Sequence, residues 1–93
     1  MLKALIPRLD IIRAMTCYRI CLINSHFKSA DEAQYTSLDA ARSAAIVTAT
    51  NIVSESISEG EPTSAVEIQI FADDELVSRQ VVTLSVAEFT TDQ

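Results

Sequence analysis

Residues 36–60, TSLDAARSAAIVTATNIVSESISEG, decide the fold. Leu38, Ala41, Ala45, Ala49, Ile52 and Val53 recur at helical spacing and form one apolar stripe, with Ile46 and Ile57 beside it. Thr36 or Ser37 offers an N-cap, and Asp39 falls in the first turn, where the helix dipole favours a carboxylate. No Gly or Pro interrupts the run before Gly60, and Pro62 follows it, which together read as a stop. The many Ala, Ser and Thr side chains make this helix slim. It is expected to lie close against the protein's own sheet.

The flanking sequence supplies that sheet. Residues 16–24, TCYRICLIN, are rich in strand formers, and alternation puts Tyr18, Ile20 and Leu22 on one face. Cys17, Arg19, Cys21 and Ile23 then share the other. Asn24-Ser25 reads as a turn, His26-Phe27-Lys28 as a short return strand, and Ser29 to Thr36 as a polar stretch. Beyond the helix, residues 65–72 (AVEIQIFA) alternate with Val66, Ile68 and Ile70 on one face, and residues 76–84 (LVSRQVVTL) form the partner strand. Asp73-Asp74-Glu75 between them reads as a hairpin turn, because Asp tolerates turn backbone angles. The lack of Gly there argues against a tight primed turn.

The predicted architecture is α+β: a small antiparallel sheet of three to four strands with one main helix on one face, in the order β-(β)-α-β-β. The opposite face is expected to carry Cys17, Arg19, Cys21, Glu67, Gln69 and Ser78, a mixed surface with at least one uncovered edge. Residues 16–86 form the single domain, residues 1–15 an amphipathic or loosely ordered extension, and residues 87–93 a tail after a short return from Ser85.

Ninety-three residues make one domain with a thin core, so self-association would help its stability. Residues 1–28 carry a balance of +4 and residues 29–93 a balance of −10, for a net charge of −6. Between Arg42 and Arg79 there is no basic residue, so the main body is expected to repel nucleic acid. The acid excess serves solubility, or else it meets a basic partner. Residues 1–15 place Leu2, Leu5, Ile6, Leu9 and Ile12 at helical spacing, broken by Pro7. A basic, acid-poor start of this kind also suits a transit peptide or a membrane-surface helix. A start at Met15 would leave a clean domain. No run approaches a membrane span, and a cytoplasmic location is the default expectation.

Four further features carry candidate chemistry. Cys17 and Cys21 stand four residues apart, roughly 13 Å along a strand, too far to bridge each other. Buried structural thiols are the expectation. His26 with Asp31 or Glu32 lacks a defined nucleophile geometry, so a plain surface or half-buried His is expected. Asp73, Asp74 and Glu75 lack the internal Gly of a calcium loop and read as a solvated turn. Arg42 stands near the helix start, against the dipole, and calls for a carboxylate among Asp31, Glu32 and Asp39.

The strand at 17–24, the Asp31-Glu32 step and the helix opening LDAARSAA at 38–45 resemble a family of small bacterial proteins classed as a domain of unknown function. Its members join an aromatic-rich first strand, an acidic D-E-x-G turn, an L-x-x-A-R-x-x-A helix and a closing hairpin. The resemblance covers roughly residues 16–86. It implies a cytoplasmic bacterial protein of this fold and no established activity. Two turns depart from the family pattern: Ala33-Gln34 follow Asp31-Glu32 where Gly is usual, and Asp73-Asp74-Glu75 replaces a D-x-x-G turn.

No catalytic, cofactor-binding or metal-binding residue is assigned. The function expected is that of a non-enzymatic module that self-associates or binds another protein, with the hairpin edge as the contact. The alternative is an acidic regulatory or antitoxin-like inhibitor of a basic partner. An enzyme centred on His26 ranks last.

Overall fold

A computed structural model of the chain describes residues 15–89. Most of the predicted N-terminal extension and the last four residues lie outside that range. The elements run β1 (Thr16–Ile23), β2 (Lys28–Tyr35), α1 (Leu38–Ser58), β3 (Thr63–Ala72) and β4 (Glu75–Ser85). The four strands form one sheet in the order β2-β1-β3-β4, and every pairing is antiparallel. This is the predicted α+β arrangement, with β-β-α-β-β connectivity.

The two-residue period of β1 and β3 fixes which face meets the helix. Ile20 stands opposite Ile70 and Leu22 opposite Ile68, so the two strands align their large side chains in rows. Val66, Ile68, Ile70 and Val53 are the largest fully buried side chains. On α1, Ala41, Ala45, Ala49 and Val53 are buried against them, with Leu38 and Ile52 partly buried alongside. Alanine at the centre of the stripe lets the helix axis approach the sheet, so the core is made by large residues on the sheet and small ones on the helix. Ile46, predicted beside the stripe, lies at its border and is 36% exposed, while Val47 faces solvent at 61%. The helix lies mainly over β3 and β4 and touches β1 and β2 less.

Ser37 is the N-cap: its Oγ accepts from the Ala40 amide at 3.1 Å. Gly60 takes φ +112 just past the last turn, a left-handed conformation that a Cβ would strain even though open space surrounds it.

Three local readings are corrected. The return strand does not comprise residues 26–28: the chain turns between Asn24 and Phe27, and β2 runs from Lys28 to Tyr35 through the stretch read as polar. Asn24 Oδ1 accepts from the amides of His26 and Phe27, a side-chain-capped turn that leaves the next residues free to pair with β1. Second, Asp73 and Asp74 both adopt positive φ, 52 and 65, so β3 and β4 are joined by a tight two-residue turn of the primed kind after all. Glu75 belongs to β4, opposite Ala72. Third, Ser78 faces the helix: it stands opposite Ile70, and its Oγ accepts from Arg42 Nε at 3.4 Å. Residues 86–89 carry no regular structure, and the Val86 amide donates to the Pro62 carbonyl.

Candidate interaction surface

A four-stranded open sheet has two outer edges, and here they differ. β2 carries Lys28, Asp31 and Glu32, all exposed. Charges along a rim hinder another strand from joining it. β4 carries two charged residues, Glu75 at its start and Arg79. Leu76, Val77, Val81 and Leu84 are exposed along the same strand, and Val86 and Phe89 continue the series past its end. Val81, in the middle, is 59% exposed.

The register explains one further feature of this rim. Ile70 stands opposite Ser78 and Phe71 opposite Leu76, which leaves Val77 as an extra residue in a β-bulge. The bulge bends β4 close to the Asp73-Asp74 turn only. From Ser78 to Ser85 the edge is regular.

The face of the sheet away from the helix is held by paired charges. Arg19 lies 4.5 Å from the centroid of Phe71 and 3.6 Å from Asp74. Arg79 Nε donates to Glu67 Oε2 at 2.5 Å, and Gln69 Nε2 donates to the same oxygen at 2.8 Å. The Arg79 hydrogen bond, followed by that of Gln69, holds the Glu67 carboxyl below its ordinary value of 4.5. Glu67 in turn raises the affinity of Arg79 for its proton. The charge of Arg79 is thereby balanced within its own sheet.

The residues singled out from sequence fall apart as chemistry. Asp31 and Glu32 are neighbours on a strand and so point to opposite faces; Asp31 lines the helix-side groove with Ile20, Tyr35 and Thr48. His26 sits in the β1–β2 turn, with no hydrogen bond or ion pair to either carboxylate among the described residues. It borders an open cleft of about 500 Å³ at the end of the sheet, with Asn24, Ser56, Glu61 and Thr63. Both cysteines are free thiols: Cys21 is buried, as expected, but Cys17, at the start of β1, is exposed. Among the described residues no three His, Cys, Asp or Glu side chains gather into a set that would hold a metal ion. Arg42 finds its carboxylate in Asp39, at 2.8 Å, one helical turn back. Neither Asp31 nor Glu32 is involved.

The β4 rim, the outer edge of the hairpin expected from sequence as the contact, is where exposure, apolar character and unpaired backbone coincide. No helix of the described residues is long and apolar enough to cross a membrane. No protein-family model matches the chain, and no curated protein or solved structure is detectably similar to it.

Proposed function

We propose that the chain is a non-enzymatic module that acts by pairing its sheet edge with another strand, in a second copy or in another protein. The observation that supports this is the outer rim of β4: a long edge strand with exposed Val81 and Leu84, whose charges are Glu75 at its first residue and Arg79, paired to Glu67. Its unpaired N–H and C=O groups supply the affinity of strand addition, and the valine and leucine side chains add burial. The cytoplasm is the setting this reading takes, where the exposed Cys17 thiol stays reduced. Light scattering after size exclusion tests the self-associating form: a dimer mass at micromolar concentration is the expected result. A monomer at every concentration removes self-association and leaves a separate protein as the partner.

A second reading rests on the C-terminal end of α1. Glu55 lies in its last turn and Glu59 at its C-cap, with no basic residue in that turn to offset the dipole, and Glu61 follows; all three are exposed. Acids there cost helix stability, so an acidic patch that neutralises a basic protein would give them a use. That complex must weaken steeply with salt. A pull-down at low salt that recovers no basic protein would count against it.

A further inference from the structure

We infer that the strand best matched to the β4 edge comes from another protein: an extended segment with an apolar centre and Lys or Arg at both ends. This rests on the edge-pairing reading above and names the chemistry of the partner.

The apolar part of the edge is bounded at each end by carboxylates. Asp73, Asp74 and Glu75 stand at the start of β4, all exposed. At the other end Glu61 and Glu88, also exposed, border one cleft with Pro62 and Val86. The Val86 amide donates to the Pro62 carbonyl at 2.9 Å, which holds the two segments together there. Residues 76–87 contain no carboxylate, and their one cation, Arg79, is paired to Glu67. Asp74 meets Arg19 at 3.6 Å; among the described residues no ion pair engages Asp73, Glu75, Glu61 or Glu88. The rim therefore presents acid, then an uncharged stretch, then acid.

The uncharged stretch offers apolar surface on both sides of the sheet. Leu76 and Val81, opposite Phe71 and Glu67, lie on the face away from the helix. Val82 and Leu84, opposite Val66 and Ser64, lie on the helix side. Arg42 Nε reaches Ser78 of β4, so Ile46, one turn further along α1, sits on the helix flank above this strand. An added strand is thus met by Val81 and Leu76 on one face and by Leu84 and Ile46 on the other. Glu75 and Ser85 bound about 34 Å of strand, so the partner's basic groups stand that far apart.

A second copy matches this rim less well. Whether two β4 strands pair parallel or antiparallel, an acidic end of one meets an acidic end of the other, and like charges across a ladder are destabilising. A basic-ended strand meets opposite charge at both ends and displaces such a copy.

The test is the fluorescence anisotropy of a labelled peptide, Lys-Lys-Val-Thr-Val-Thr-Val-Thr-Val-Lys-Lys, titrated with the full chain at low salt. It is expected to bind at least about tenfold more tightly than the same peptide with glutamate at its ends, and to lose that advantage at high salt. A version with Pro at alternate central positions cannot complete the ladder and is expected not to bind. Val81→Lys, at an exposed position, is expected to keep the circular dichroism and melting of the parent and to lose the peptide. Glu75→Gln combined with Glu88→Gln is expected to bring the two charged peptides towards equal affinity. If the glutamate-ended peptide binds the parent as tightly, the charge match is refuted and edge pairing is spared. If neither binds, this inference fails, and the light-scattering result alone decides whether edge pairing survives. Equal binding of the Pro peptide would reduce the contact to general attraction between opposite charges and overturn the inference. So would a Val81→Lys chain with parent affinity, since the contact would then lie off β4.

Discussion

The two edge strands were given the same backbone task and unlike side chains. β2 lies next to β1, under the thinner part of the helix cover, and spends most of its positions on exposed polar and charged residues. β4 lies beneath the helix beside β3, buries Val82 partly on the inside, and leaves its other apolar residues outside. The difference teaches that edge protection in this sheet is local. One rim is charged against further pairing, and the other is left open to it.

The largest effect that bears on this contrast comes from the core that supports the β4 side. Ile68→Ala removes a fully buried side chain beneath α1 and is expected to cost about 3–4 kcal/mol in urea unfolding. A cost below about 1 kcal/mol would mean that the β3–β4 half is not the better-packed one. Next comes a paired test of the rims. Val81→Lys is expected to weaken self-association at least about tenfold, or ~1.4 kcal/mol, in sedimentation equilibrium, while Ala30→Lys on β2 leaves it unchanged. Equal effects from both would erase the distinction between the edges.

A smaller effect is expected at the β3–β4 turn. Asp74 holds φ 65 without being glycine, so Asp74→Gly relieves backbone strain and is expected to raise stability by about 0.5–1 kcal/mol. The ion pair it removes, to Arg19 at 3.6 Å, is exposed and worth little. A fall in melting temperature would show that the carboxylate matters more than the dihedral. The smallest effect is a pH dependence. Glu67 is held below its ordinary value of 4.5, so the unfolded chain binds more protons than the folded one as pH falls through that value. The stabilisation is present above 4.5 and lost as pH drops through the lower folded value. Glu67→Gln is expected to flatten this acid limb of the stability curve slightly, and an unchanged limb would separate Glu67 from acid sensitivity.

The helix, β1, β3 and most of β4 were legible because their burial is periodic. Tyr18, Ile20 and Leu22 alternate, as do Val66, Ile68 and Ile70, and each set meets the same helix. β2 was hidden because KSADEAQY has little apolar alternation. Its strand conformation is imposed by register with β1, from Ile23 opposite Lys28 to Thr16 opposite Tyr35. The turn was misread because glycine is the usual residue for two successive left-handed positions, and here two aspartates fill them. The partner of Arg42 was among the expected carboxylates, since Asp39 precedes it by one turn. The exposed apolar rim of β4 was only coarsely legible. Which hydrophobic residues of β4 face outward depends on a bulge and on where the helix lies, and neither is written in a local pattern.

The two thiols of β1 have opposite fates although they stand four residues apart on one strand and one face. Cys17 meets solvent, and Cys21 is closed in between the rows of β2 and β3 that hold Ala30 and Gln69. A thiol reagent therefore sees two clocks in one polypeptide. The first modification runs at the rate of an open thiol, and the second waits for the central strands to separate. The lag between them measures how often the sheet opens around Cys21 under native conditions, with no denaturant added.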